Sequence, residues 1–209
     1  MSNARNLANL LGTGTTVPAS NMPDGSRILI HSFSLGVETA NVSFDNTHIT
    51  NTYDDYIIEG KHLTSTVDGD ELLIQCSSDN GSNYATSGHA RSYLRLAANP
   101  VQGAEAGTNT YIQVATDTGN DDNRGVTMQC HLFGLRNTSH YKYMLFHTCG
   151  KHNNDEYTWR GGSSIAVTTA INNIRVGFVS GNIKAVGKVA LYGIKGSNHW
   201  YATIKDNSS

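Results

Sequence analysis

From Arg27 onward, apolar and polar residues alternate with a period of two. Val126, Met128, Cys130 and Leu132 alternate with Thr127, Gln129 and His131. Tyr141, Tyr143 and Leu145 alternate with Lys142 and Met144. Ile174, Val176 and Phe178 alternate with Arg175 and Gly177, and Ile183, Ala185, Val189 and Leu191 share one phase against Lys184 and Lys188. Successive side chains on a strand point to opposite faces, so each pattern predicts a half-buried strand with its apolar set inward. Gly187 falls in the inward phase, which predicts a bulge or a close sheet contact there. Roughly ten to twelve such segments follow one another at hairpin spacing. An all-β fold is expected, with antiparallel sheets stacked as a β-sandwich of jelly-roll type.

Ahead of the strands, residues 1–26 read as an arm. Leu7, Leu10 and Leu11 make one apolar stripe on a short helix, which Gly12-Thr13-Gly14 ends. A helix of two turns is marginal alone, so the stripe is expected to dock on its own domain, on a sister subunit or on a larger structure. A frayed terminus is the alternative. Met22-Pro23-Asp24-Gly25 reads as a turn. The expected organisation is therefore an arm over 1–26, a sandwich domain over 27–196 and a C-terminal strand or tail over 197–209.

Composition narrows the class. Of 209 residues, 38% are hydrophobic and only 15% charged, so the polarity comes from Asn, Ser, Thr and Gly. Low charge argues against disorder. There are 21 glycines and 3 prolines, which suits a loop-rich β protein. A net charge of -2 gives no basic patch for phosphates, so no nucleic-acid partner is expected. Three cysteines do not make a disulfide framework, and reduced strand thiols made in a cytosol are expected. No stretch approaches the roughly 20 apolar residues of a membrane span, and Asn3, Arg5, Asn6 and Asn9 interrupt any apolar run at the N-terminus, so no signal-peptide pattern is read there.

Chemistry is sparse. Nucleophile-elbow and phosphate-loop patterns are absent. Asp54 and Asp55 would face opposite ways on a strand, so they are not a paired acid and base. Asp68-Gly69-Asp70 and Asp117-Thr118-Gly119-Asn120-Asp121 read as turns. No catalytic residue, cofactor or enzyme activity is expected. His147, Cys149 and His152, with Cys130 and His131 nearby, match no zinc spacing. Asp117, Asn120, Asp121 and Asp122 could offer oxygens to calcium, but turn chemistry explains them more simply. No metal site is expected.

Recognition is the more promising chemistry. Residues 150–162 read as a long polar loop carrying Asn154, Tyr157, Trp159 and Arg160. An aromatic ring flanked by amides and carboxylates can stack on a sugar while its neighbours bond the hydroxyls. The loop Asp79–Arg91, with Tyr84 and His89, has similar chemistry. The other reading of Trp159 is a ring folded back to cap the sandwich edge.

Four patches resemble one family. They are Arg5–Leu11, Thr50–Ile58, Leu72–Gln75 with Asp79–Tyr84, and Ser180–Ile183 continuing through Ala190–Lys195. In order and spacing they are similar to the small all-β virion proteins of tailed bacteriophages, such as tail-fibre tips and related surface proteins. The resemblance implies a non-enzymatic virion component, made in the host cytoplasm. It implies other virion proteins as partners and homo-oligomers, most often trimers. Two roles fit: a tail-fibre or tail-associated protein, anchored by Leu7, Leu10 and Leu11 and contacting host glycans, or a head decoration protein that clamps capsid subunits. A carbohydrate-binding or carbohydrate-active jelly roll is the reading from another class.

Overall fold

A computed structural model describes residues 22–96, 102–153 and 155–196. Among them are twelve strands and no helix. In chain order these are β1 (Arg27–Ser34), β2 (Asn41–Phe44), β3 (Tyr56–Leu63), β4 (Asp70–Ser77), β5 (His89–Leu96), β6 (Gln102–Asn109), β7 (Ile112–Thr118), β8 (Val126–Phe133), β9 (Lys142–His152), β10 (Asp155–Ile165), β11 (Asn173–Phe178) and β12 (Lys188–Ile194). All pairings are antiparallel. One sheet has eight strands in the order β1-β12-β3-β8-β9-β10-β5-β6, and the other has four, β2-β11-β4-β7. No helix among the described residues is long and apolar enough to cross a membrane. The helix expected at Leu7, Leu10 and Leu11 lies outside the described residues.

The inward side chains of the two sheets join one hydrophobic cluster, so the fold is an all-β, sandwich-like pair of sheets. Ile58, Cys130, Leu132, Met144 and Trp159 come from the larger sheet; Phe44, Ile74, Val114, Ile174 and Val176 come from the smaller. Each fully buried aliphatic side chain of this kind contributes about 1.5–3 kcal/mol over leaving it exposed. β8 follows its sequence pattern, with Val126, Met128, Cys130 and Leu132 all buried. Gly187 has a φ of 97°, and a Cβ there would collide with the backbone of Lys61 and His62, so the expected close contact is present.

Two strand readings need correction. In β9 the buried set is Lys142, Met144, Phe146 and Thr148, while Tyr143 and Leu145 face out. The expected phase is inverted there. The reason is packing: β7 of the smaller sheet lies across the inner face of β9, and Thr148 donates to the Val114 carbonyl at 2.7 Å. In the last segment Ile183, Val189 and Leu191 are buried, but Ala185 is exposed in the irregular stretch before β12.

Candidate functional site

The polar segment 150–162 is not a loop. β9 pairs with β10 from Lys142 opposite Ile165 to His152 opposite Asp155. The connection is therefore two residues long, the tightest common hairpin. Asn153 takes a φ of 54° there, which Asn tolerates, and Asn154 lies outside the described residues. Period-two alternation then sends Tyr157 and Trp159 inward and Arg160 outward.

The ring of Trp159 is 1% exposed. Its indole N–H donates to Thr116 Oγ1 at 3.3 Å, so β10 packs on β7 through this side chain. Tyr157 is held on two sides: its centroid is 5.5 Å from that of Trp159, and the Arg95 guanidinium lies 4.2 Å from the Tyr157 centroid. Arg95 is in turn bonded to Asp117 at 2.7 Å. Neither ring presents a face for stacking on a sugar. The sequence-based expectation of contact through Tyr157 and Trp159 is corrected: both rings are buried in the core, because a strand in this sheet has one face committed to it.

The segment Asp79–Arg91 starts as a loop, and its polar groups are engaged in building it. The Asp79 carboxylate accepts from Ser77 Oγ at 2.7 Å, from the Asn83 amide N–H at 2.8 Å and from Asn83 Nδ2 at 2.7 Å. These bonds, led by the one from Ser77, pull its pKa down to about 2. Tyr84 donates to Asn173 Oδ1 at 3.0 Å, and Arg175 lies 3.9 Å from the Tyr84 ring centroid. His89 is buried at the start of β5, where it pairs with Ile165 and Asn109. Of the six residues proposed for glycan contact, Arg160 is the one among those described that stands exposed. Its Nε donates to His147 Nε2 at 3.3 Å.

The acidic residues do not converge. Asp122 bonds Lys184 at 2.9 Å, Asp121 bonds Arg124 at 3.1 Å, and Asp117 bonds Arg95. Asp54 and Asp55 tie down the turn after β8, accepting from the Arg136 and Gly134 amides at 3.1 and 2.8 Å. Burial raises the pKa of both, and for Asp54 the charge of Asp55 adds to it. Cys130 faces the core and His131 the outer face, so β8 cannot aim both at one ion. No group of three or more His, Cys, Asp or Glu among the described residues could hold a metal. Cys76 and Cys130 are buried, and burial pushes the Cys76 thiol up to about 12; Cys149 is exposed.

The feature that sequence reasoning missed is the outer face of the larger sheet. A row of paired residues crosses seven strands there: Leu29, Tyr192, Ile57, His131, Leu145, Gly162 and Ser92. His131 stacks on Phe133 with centroids 3.9 Å apart, and its Nε2 is buried without a hydrogen bond. Burial, aided by the charge of Arg27, holds its pKa below the usual histidine range. Leu145 is 59% exposed, Leu29 55%, Tyr143 54% and Leu94 44%. Large apolar side chains thus recur across the solvent-facing side of this sheet, interspersed with the small residues Gly162 and Ser92. The signal lay in the sequence as apolar residues in both phases of β9, Tyr143 and Leu145 against Met144 and Phe146.

Compared with family models, with curated proteins and with solved structures, the chain matches none.

Proposed function

We propose that this chain is a non-enzymatic structural component of a tailed-phage particle, built on a jelly roll and acting through protein contacts. The observation that carries the reading is the outer face of the eight-stranded sheet, broad and partly apolar. The strand order supports the jelly roll. With the β5-β6 and β9-β10 hairpins set aside, β1-β12-β3-β8 faces β2-β11-β4-β7, and the chain passes between sheets as a double Greek key does. The two hairpins extend one sheet to eight strands. The two ends of the described domain lie side by side, since the Gly25 N–H donates to the Lys195 carbonyl at 2.8 Å. An anchoring arm over 1–26, bearing Leu7, Leu10 and Leu11, would therefore leave from the β1-β12 end of the sheet.

Within this reading a tail-associated role comes first, because the sequence resemblance is to tail-fibre tips. Contact with a host surface would then use Arg160 and the outer sheet face, not Tyr157 or Trp159. Head decoration is the second reading. It is favoured by the exposed apolar residues on the strands of the outer sheet face, among them Leu29, Leu94, Tyr143 and Leu145, where a neighbouring capsid subunit could be clamped.

The test is localisation on intact particles, with a tag following Ser209. Label at the tail supports the first role, and label over the head lattice supports the second. Label on no particle refutes both and turns attention to a free carbohydrate-binding jelly roll. Replacing Leu7, Leu10 and Leu11 together by Ser should abolish incorporation, and normal incorporation would remove the anchoring arm from the proposal.

A further inference from the structure

The outer face of the larger sheet has relief. β9 raises Tyr143 and Leu145 from the surface. Directly beside them β10 presents Ser164 and Gly162, paired with Tyr143 and Leu145. The next strand, β5, presents Ala90 and Ser92. An apolar ridge thus borders a trough of small residues, a hollow of about 370 Å³.

The fold does not require that trough. At Gly161, on the inner face, a Cβ would lie 2.6 Å from Phe146 Cζ and 2.8 Å from Tyr93 Cβ, so packing within the chain demands glycine. At Gly162 a Cβ would meet Leu145 Cδ2 and the Met144 carbonyl at 3.4 Å, an ordinary contact. Glycine weakens a strand interior and often marks a place where another group approaches closely. Among the described residues, the one side chain that comes near Gly162 on the outer side is that of Leu145, the ridge itself.

We propose that a second copy of this chain approaches Gly162, with the ridge of each copy seated in the trough of the other. The operator is a two-fold axis parallel to the strands and running between β9 and β10. It carries β9 of one copy over β10 of its partner, so that Tyr143 and Leu145 land on Ser164 and Gly162 of the partner subunit. An axis across the strands would instead stack ridge on ridge. A three-fold arrangement cannot engage both halves, because ridge and trough lie side by side on one face, and only an isologous contact satisfies them together.

The area is sufficient. The axis falls at the centre of six strands, with β3-β8-β9 on one side and β10-β5-β6 on the other. With strands about 4.8 Å apart and about 3.4 Å per residue, six strands of eight residues make a face of roughly 780 Å². Stable interfaces of standard size bury about 800 Å² per partner.

The experiment is sedimentation equilibrium on the isolated full-length chain. The parent protein is expected to be a dimer at micromolar concentration. Gly162→Lys fills the trough from a position where the fold tolerates a side chain. It should weaken association by about 30-fold or more, the loss of one interface hot spot, with far-UV circular dichroism unchanged. Leu29→Lys, at an exposed position on β1 outside the six strands, should leave the dimer intact. Should Gly162→Lys fail to fold, Leu145→Lys on the ridge gives the same readout. A monomeric or trimeric parent, a Gly162→Lys or Leu145→Lys dimer as tight as the parent, or dissociation by Leu29→Lys would overturn the proposal. None of these outcomes depends on where the protein sits in a particle, so this inference and the virion reading can fail separately.

Discussion

Two segments, 79–91 and 150–162, read alike in the sequence. Both are polar and both carry aromatics. In the structure they solve different problems. The first turns the chain after β4, and its side chains bond within the turn and to the flanking strands to hold it: Asp79 to Ser77 and Asn83, Tyr84 to Asn173. The second is a pair of strands, and its aromatics face the core while its polar residues face out. Composition marks both as surface, yet only side-chain direction decides what each aromatic does. A ring on a strand is committed by the sheet, whereas a ring after a turn is committed by whatever polar partners the turn supplies.

The comparison breaks most visibly at Trp159. Trp159→Ala removes a fully buried ring from between β10 and β7. The cost should be about 3–5 kcal/mol, read by urea denaturation at fixed protein concentration. A loss under about 1 kcal/mol, in the range of surface positions, would return Trp159 to the solvent and the hairpin to a loop. At the other end of the same hairpin, Lys142 is buried and donates to the carbonyls of His140 and Val167 at 3.1 and 2.9 Å. Burial lowers its pKa, against an upward pull from Asp54. Lys142→Met keeps the volume but strips both carbonyls of their donor, for an expected loss of about 1–3 kcal/mol. A Met variant as stable as the parent would mean that desolvating the ammonium costs as much as its bonds return.

The period-two pattern made the strands legible, and β8 followed it residue by residue. It did not show which side of β9 faces in, because Met144 and Phe146 are as apolar as Tyr143 and Leu145. That choice depends on β7 crossing the inner face, a contact between segments far apart in the chain. The pairing of β10 with β5, and so the whole extension of the larger sheet, is non-local in the same sense. The hairpin at 150–162 was obscured by its outward residues and its glycines. The alternation of Tyr157 and Trp159 with Thr158 and Arg160 was there to be read. The outer face was illegible for a further reason: its row takes one residue from each of seven strands, and no window along the chain contains it.

In the turn segment the expected effects are smaller. Tyr84→Phe removes one donor from Asn173 Oδ1 while Ser43 Oγ still donates to it at 3.0 Å. The stacking of Arg175 on the ring survives. The loss should be about 0.5–1.5 kcal/mol by denaturant titration. A neutral result would mean that Ser43 alone satisfies Asn173, and a loss near that of Trp159→Ala would make the turn as structural as the core.

The finest distinction is carried by Asp79, and it appears in pH dependence. Its folded pKa is pulled down to about 2, first by the Ser77 bond and then by the two from Asn83. The unfolded value is near 3.9. A group whose pKa falls on folding stabilises the protein above its unfolded pKa, and that stability is lost as pH drops through the folded one. Asp79→Asn cannot make the charged bonds at any pH, and its amide opposes Asn83 Nδ2. The variant should therefore melt below the parent at neutral pH. The gap should narrow below about pH 4, as the parent's carboxylate takes up its proton, and close near the folded value of about 2. The difference between the two melting curves isolates Asp79, because Asp45 and Asp68, whose pKa values are also lowered, titrate equally in both proteins. A gap that stays constant from neutral pH down to that value would mean the turn is held by its shape alone. In that case the two segments would differ only in geometry, and not in whether charge holds them.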